Sequence, residues 1–344
     1  MVDQTLERPR SRNFDEGPTP RAAAPSPAAI ARAAVLRRLA ISDGVFSGAT
    51  LAAALVVLLL LGGVILSLVV GAMPAIRAFG FGFVTSTSWN PVTEQFGAGP
   101  AIYGTLVTSL IAMTIAVPIG IGIAVFLTEL CPPTLRRPIG MAIELLAGIP
   151  SIIYGIWGLF VLAPFLQRHV QPWLISTFSG TPGLSALFAG PPYGIGVLTA
   201  GVILGVMVLP YVASVTRDVF DTVPIVLKEA AFGIGCTTFE VVRRVVIPYT
   251  LVGVLGAVML GLGRALGETM AVTFVIGNAH KISSSILAPG TTISAIIANE
   301  FTEALGDLYG PSLIELGLIL FVITFVELAF ARLLHMRVER RKGA

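Results

Sequence analysis

The feature that most constrains this chain is a series of six apolar stretches, each long enough to cross a lipid bilayer as a helix. A hydrocarbon core of ~30 Å is spanned by about 20 helical residues. The stretches are 45–72, 101–128, 138–166, 195–216, 250–277 and 313–334. With 55% hydrophobic and only 12% charged residues, the composition excludes an ordinary soluble globular protein. The sequence therefore predicts an all-α polytopic membrane protein with six transmembrane helices.

The distribution of arginine and lysine predicts how these helices are oriented. Basic residues concentrate in the N-terminal segment, in 129–137, in 217–248 and after the sixth stretch. The loops on the opposite side carry only Arg77, Arg168 and Lys281. Because basic loops stay on the cytoplasmic side of a membrane, both termini are expected in the cytoplasm.

The domain organisation expected along the chain follows from this topology. Residues 1–44 are polar and rich in Pro, Ala and Arg, so we expect a disordered cytoplasmic tail followed by an uncleaved first helix. The further segments are 45–72 (first transmembrane helix), 73–100 (external loop), 101–335 (core of five transmembrane helices with a cytoplasmic coupling loop at 217–248) and 336–344 (basic cytoplasmic tail).

The sequence carries no motif of a metal site or an enzyme. Cys131 and Cys236 both fall on the predicted cytoplasmic side, where thiols stay reduced, so no disulfide is expected. The three histidines are scattered and make no familiar metal-ligand spacing. The sequence has no phosphate-binding loop, which argues against ATP hydrolysis by this chain. It also has no G-x-S-x-G or H-E-x-x-H motif, which argues against other catalysis. We expect no cofactor, no metal and no nucleic acid.

The string LGRALGETMAV places an arginine and a glutamate inside the fifth apolar stretch. Glu268 follows Arg264 by four residues, which predicts a shared helical face and salt-bridge reach. Glu327, midway through the sixth stretch, is a candidate second counter-ion. Ionisable residues at membrane depth are usually functional, so we interpret these three as a substrate pathway or gate, with Arg264 as a weak anion site partly neutralised by Glu268. The alternative is a structural bridge that fixes the fifth helix against its neighbours.

The loop between the fourth and fifth stretches is predicted to contain two short helices around a glycine turn. Its sequence is DVFDTVPIVLKEAAFGIGCTTFEVVRRVVIPYT. Asp221 or Thr222, just before Pro224, is predicted as the helix start, and Gly233 and Gly235 mark its end. Thr237 with Glu240 three residues later predicts a capping box for the second helix. Such an element at the membrane surface is suited to contact a soluble partner.

This loop resembles the EAA loop of ABC-importer permeases, E-A-A-x3-G-x9-I-x-L-P. The matching residues are Glu229, Ala230, Ala231, Gly235 and Pro248, with Val245 and Ile247 in place of the Ile and Leu of the pattern. The resemblance implies that the first short helix docks on an ATPase subunit and transmits its closure to the membrane helices. The alternative is an ordinary surface helix packed on the bilayer.

Residues 85–335 are similar to PstC-type permease subunits of the ABC phosphate importer. The strings that carry the similarity are WNPVTEQFG, LRRPIGMAIELLAGIPSIIYGIWGLF, EAAFGIGCTTFEV and GLGRALGETMAVTFVIGN. The resemblance implies an ABC type I importer permease fold in the inner membrane of a bacterium. It also implies a homologous second permease, two ATPase subunits, an extracytoplasmic phosphate-binding protein, membrane lipid, and inorganic phosphate as substrate.

Other functions compatible with the same residues stay open at this point. An importer of another oxyanion, such as sulfate or molybdate, keeps the EAA loop and differs only in substrate. An ion-coupled secondary transporter would use Glu268 or Glu327 as a proton site. An intramembrane enzyme is disfavoured, because no catalytic motif accompanies the apolar stretches.

Overall fold

The structure is a computed structural model that describes residues 27–342. Its α-helices are α1 (Pro27–Phe79), α2 (Gly82–Thr85), α3 (Gly99–Val125), α4 (Pro133–Ala147), α5 (Ser151–Trp157), α6 (Ala163–Phe165), α7 (Gln171–Phe178), α8 (Leu184–Leu187), α9 (Val197–Asp221), α10 (Ile225–Gly233), α11 (Thr238–Val241), α12 (Ile247–Leu266), α13 (Met270–Val275), α14 (Ile293–Glu300) and α15 (Tyr309–Lys342). Short π-helical turns continue α3 at Phe126–Leu130 and join α5 to α6 at Gly158–Leu162, α6 to α7 at Leu166–Val170 and α11 to α12 at Val242–Val246.

Six helical stretches in this part of the chain are long and apolar enough to cross a membrane, as the sequence predicts. They are Ser42–Phe79, Gly99–Leu130, Ser151–Phe178, Val197–Asp221, Thr238–Leu266 and Tyr309–Leu333. The only β pairing among the described residues is an isolated bridge between Asn90 and Gln95. The all-α class with six spans is thus confirmed.

The chain divides into two compact units, residues 1–63 and 64–344. In the first unit, α1 begins at Pro27, so residues 27–44 of the predicted disordered tail are helical, and residues 1–26 lie outside the described part. Proline suits the first position of a helix, and the Ala, Leu and Arg residues that follow are strong helix formers. Every side chain from Ser42 to Gly63 is exposed within this unit, as expected of an apolar helix that faces lipid.

The second unit is organised around α3 and α9, which pack along their lengths. Small residues allow the close approach. A Cβ atom at Gly201 of α9 would lie 2.6 Å from Ile111 of α3, and one at Gly120 of α3 would lie 2.9 Å from Val212 of α9. The fully buried Ile203, Leu204 and Val208 continue the same contact. Helices α12 and α13 pack against this pair, and α15 packs on α12.

The third predicted stretch, 138–166, is wrong at both ends, since the span is Ser151–Phe178. The structure has the separate amphipathic helix α4 up to Ala147, a break at 148–150, and a span that starts only at Ser151. Pro150 adopts an extended conformation with ψ 137°, and a proline also disfavours helical geometry in the residue before it. Arg217 of α9 bonds Glu144 of α4 at 2.7 Å, which holds α4 beside the bundle.

The fifth predicted stretch, 250–277, is also wrong at both ends. Helix α11 runs through the π-helical turn into α12, so the span starts at Thr238. At the other end α12 stops at Leu266, and Gly267 to Thr269 separate it from α13. Glycine is a poor helix residue because its backbone loses most freedom on ordering. This early end changes the geometry of the charged residues that the string contains.

Candidate transport and coupling sites

Arg264 lies in the last turn of α12, where the carbonyl end of the helix favours a cation. Its guanidinium carbon is 4.2 Å from the centre of the Tyr211 ring on α9. Its Nε atom is buried without a hydrogen-bond partner among the described residues. A guanidinium over an aromatic face contributes about 2 kcal/mol when desolvated. Tyr211 was not predicted, because the sequence does not show which helices face each other.

Glu268 does not share a helical face with Arg264, contrary to the sequence prediction. It lies in the break after α12, and its carboxylate accepts a hydrogen bond of 3.4 Å from the Ala271 amide in the first turn of α13. Its backbone carbonyl accepts a 2.7 Å hydrogen bond from the Ser294 hydroxyl of α14. No carboxylate among the described residues lies within 4.0 Å of the Arg264 guanidinium. The predicted 264–268 salt bridge is therefore wrong, because the helix ends before it can form.

Glu327 lies on α15 and faces α12. A Cβ atom at Gly263 would be 3.6 Å from its Oε2 atom, so the two helices are neighbours at this point. Both carboxylate oxygens are buried without a hydrogen-bond partner in the described part of the chain. Because adjacent positions on a helix point about 100° apart, Gly263 meets Glu327 while Arg264 meets Tyr211. Glu327 thus lies against the helix that carries the arginine but does not pair with it.

Glu327 lines an apolar groove of about 480 Å³ between α3, α12 and α15. The other polar residue in this groove is Ser109, whose buried hydroxyl also has no partner among the described residues. The remaining walls are aliphatic or aromatic. Glu327 therefore lies in an apolar groove that Arg264 does not line.

The coupling segment, which we define as residues 221–248, has the two predicted short helices. Gly235 after α10 has φ +90°, a conformation that glycine adopts readily. The capping box of Thr237 and Glu240 is present. Ala231 is buried in an apolar cluster with Ala124 of α3, whereas Glu229 and Ala230 are exposed.

The coupling segment also presents a strongly exposed apolar surface. Its members and their exposed fractions are Ile225 (68%), Val226 (67%), Ile234 (83%) and Phe239 (70%). Large apolar side chains grouped on one exposed loop usually mark a contact site for another protein or a membrane. Ala231 therefore fixes the first short helix to the bundle, while the neighbouring positions remain available for contact.

At the other end of the bundle, a polar cluster missed by the sequence analysis ties the loops together. Glu300 at the end of α14 accepts hydrogen bonds of 2.7 Å from Trp89 and from Tyr309, and its other oxygen lies 3.0 Å from Nε2 of His280. Trp89 stacks on the His280 ring at 5.5 Å. Burial raises the pKa of Glu300, but the hydrogen bonds from His280, Tyr309 and Trp89 outweigh it, so its pKa lies below the ordinary value.

The comparison with known proteins identifies the family. The binding-protein-dependent transport system inner membrane component family matches residues 116–340. The chain belongs to this family. With six helices long enough to span a bilayer, this family member is a multi-pass protein of the inner membrane.

Relatives within the family are similar over most of the chain. The phosphate transport system permease protein PstC of Mesorhizobium japonicum is 70% identical over 91% of this chain and 96% of its own length. That of Pasteurella multocida is 57% identical over 84% of this chain and 90% of its own length. Both relatives are named as permeases, which makes this family member a transport subunit.

Solved structures support the fold. A chain of the MetNI methionine ABC transporter in an inward-facing conformation has a TM-score of 0.52 at 18% identity, covering 69% of this chain and 94% of that chain. A chain of a bacterial alginate ABC transporter in complex with a pentasaccharide-bound periplasmic protein has a TM-score of 0.53 at 18% identity, covering 83% and 94%. The ABC importer permease fold is thereby confirmed.

Proposed function

We propose that this chain is the membrane-spanning subunit of an ATP-driven importer of inorganic phosphate. The observation that carries the proposal is the 70% identity, across nearly the whole chain, to a protein named as a phosphate permease. The phosphate arrives from an extracytoplasmic binding protein, a homologous second permease completes the pore, and two ATPase subunits supply the energy. Within the described residues, the exposed apolar surface on the coupling segment is the place for an ATPase contact.

We further propose that Arg264 is the residue of the pathway that attracts the anion. Its guanidinium has no carboxylate partner within 4.0 Å among the described residues, and its planar donors match a tetrahedral oxyanion. Stacking on Tyr211 orients the group without neutralising it. Glu268 acts at a distance, as a negative charge that weakens phosphate binding enough for release, and Glu327 acts as a gating residue on the neighbouring helix.

The test is ATP-dependent uptake of radiolabelled phosphate into vesicles that contain this chain, its second permease, the ATPase and the binding protein. We expect uptake that unlabelled phosphate abolishes and that sulfate and molybdate leave unchanged. Competition by sulfate or molybdate would assign the chain to another oxyanion. Uptake that persists without the ATPase and collapses with the proton gradient would favour the ion-coupled alternative, for which the unpartnered Glu327 carboxyl is the supporting observation.

The coupling role proposed for Glu229, Ala230, Ala231 and Gly235 has its own test. Ala230→Glu places a charge and a larger side chain at an exposed position of α10, so the ATPase subunits should no longer copurify while the permease stays folded. Ala142→Glu is the matched control, because Ala142 is exposed on α4 at the same predicted side of the membrane. Equal ATPase recovery for the two variants would contradict the docking role.

A further inference from the structure

A largely buried ion pair joins the coupling segment to the end of the second span. The Lys228 ammonium of α10 lies 2.6 Å from the Glu129 carboxylate, in the π-helical turn that ends α3. The side chains are only 16% and 7% exposed. Neither the EAA pattern nor the charged string in the fifth span accounts for this contact.

The surroundings of the pair make it more than a packing contact. A cavity of about 440 Å³ lies at the pair. Six polar side chains line it together with three apolar ones of the coupling segment; the polar ones are Thr128, Glu129, Arg136, Asp221, Lys228 and Glu229, and the apolar ones are Val223, Ile225 and Phe232. Side chains therefore leave this part of the junction unfilled. The apolar link between the two elements lies elsewhere, where Ala231 meets Ala124.

The local helix geometry favours transmission of movement at Glu129. Its turn is π-helical, and such turns occur frequently at functional sites. Arg136 donates a 2.7 Å hydrogen bond to the Thr128 carbonyl, which closes the end of the helix after the regular ladder stops. A displacement of Lys228 thus acts on a capped, well-defined end of a long helix.

The other end of α3 contacts the loops of the opposite side. The Tyr103 hydroxyl donates to the Ser283 carbonyl at 3.0 Å, and the Ile293 amide donates to the Thr105 hydroxyl at 3.0 Å. One helix therefore connects the coupling segment with the loop that holds α14.

We propose that the Glu129–Lys228 ion pair is the positioning contact through which movement of the coupling segment reaches α3 and, along it, the opposite loops. This inference rests on the proposed function, because it assigns a role within the same ATP-driven cycle. A buried ion pair adds little net stability, but loss of one partner leaves a bare charge. The pair is thus well suited to fix the position of α10 relative to the end of α3.

The experiment measures ATP hydrolysed and phosphate transported by the complete reconstituted complex. The variants are Glu129→Gln, Lys228→Met, their combination, and the reversed pair Glu129→Lys with Lys228→Glu. We expect each single variant to retain its ATPase subunits and to transport about fivefold to tenfold less phosphate per ATP, the size typical of residues in direct contact. The reversed pair should recover part of the loss, which would assign the effect to the ion pair and not to either side chain alone. A purely structural role would instead reduce assembly and leave the ratio of phosphate to ATP unchanged.

Glu144→Gln is the control, since it breaks an ion pair of similar length, 2.7 Å to Arg217, that lies outside the coupling segment. Its ratio of phosphate to ATP should match the native value. An unchanged ratio in the assembled single variants overturns the inference. If the single variants fail to assemble, the double variant Glu129→Gln with Lys228→Met is the test. The inference is overturned if this double variant has the native ratio of phosphate to ATP, or if it also fails to assemble. A native complex that hydrolyses ATP but imports no phosphate instead overturns the proposed function.

Discussion

At the scale of single residues, the charges in this protein differ by whether they have partners. Glu129, Glu144 and Glu300 are each paired with a basic side chain, whereas Arg264 and Glu327 have no ion-pair partner among the described residues. Leaving a buried charge unpaired is costly. Glu315 is also buried without an ion-pair partner among the described residues. At Arg264 and Glu327, function explains the residue better than stability does.

Arg264→Gln is predicted to abolish phosphate uptake while the complex still assembles. Glutamine keeps hydrogen-bond donors but loses the charge that attracts the anion. Arg264→Lys keeps the charge and loses the planar fork, so uptake should fall by about tenfold, equivalent to about 1.4 kcal/mol. Initial uptake rates in vesicles measure both effects. Tyr211→Phe, which retains the aromatic face, is the control and should transport normally; native rates in Arg264→Gln would assign this residue a structural role only.

Glu300→Gln is predicted to lower stability by about 1 kcal/mol at neutral pH, since hydrogen bonds to a charged acceptor are stronger than those to a neutral one. The pKa of Glu300 is depressed in the folded protein. Its contribution is therefore fully present above the unfolded value of about 4.3 and is lost as pH falls through the folded pKa.

Thermal unfolding of the purified protein across the acidic range checks this. The difference in melting temperature between native protein and Glu300→Gln should shrink as the pH falls. Glu303→Gln, an exposed neighbour outside the cluster, serves as the control. A difference in melting temperature that stays constant with pH would show that the Glu300 carboxylate is not the source of the lost stability.

At the scale of helices, apolar length predicts where spans exist but not where they break. The six spans could be predicted because a run of about 20 apolar residues seldom occurs outside a membrane-crossing helix. The breaks at 148–150 and 267–269 could not be predicted, since glycine and proline lower the mean hydropathy little and also occur inside transmembrane helices. The pairs of Arg264 with Tyr211 and of Lys228 with Glu129 were missed because they join different helices. The capping box at Thr237 was predicted because its two residues are neighbours in sequence.

Two glycines of α3 are predicted to respond in opposite ways to the same substitution. A Cβ atom at Gly104 would clash with the backbone oxygen of Thr291, whereas one at Gly122 would meet nothing within 4 Å. Gly104→Ala should therefore destabilise the protein by about 1–3 kcal/mol or more, as overpacking does. Gly122→Ala should be neutral or stabilising by up to about 1 kcal/mol, because alanine is the better helix former.

Melting temperatures of the two variants in detergent compare them directly. Gly104→Ala should melt below the native protein and Gly122→Ala at or above it. Equal melting temperatures would mean that α3 moves away from the Thr291 backbone at little cost.

At the scale of the whole molecule, the distribution of basic residues orients the chain with both termini in the cytoplasm. This orientation stays a prediction, and the structure offers two exposed positions that test it. Leu305 is 87% exposed on the predicted external side, and Ile234 is 83% exposed on the coupling segment. Their similar exposure makes them a matched pair.

Cysteine at Leu305 should react with a membrane-impermeant thiol reagent in intact cells, whereas cysteine at Ile234 should react only after permeabilisation. Cys131 and Cys236 are replaced by serine in both variants to remove background labelling. The reverse labelling pattern would invert the topology and place the coupling segment away from any cytoplasmic ATPase.

The end of α12 at Leu266 also determines where the backbone can exchange protons with solvent. The Gly267 and Glu268 amides retain only long hydrogen bonds of 3.4 Å. Both amides lie between α12 and α13, in a segment that hydropathy alone would place in lipid. Irregular backbone at such depth persists only where protein buries it or water reaches it. Deuterium uptake at these two amides, followed through the transport cycle, therefore times the entry of water into the middle of the protein.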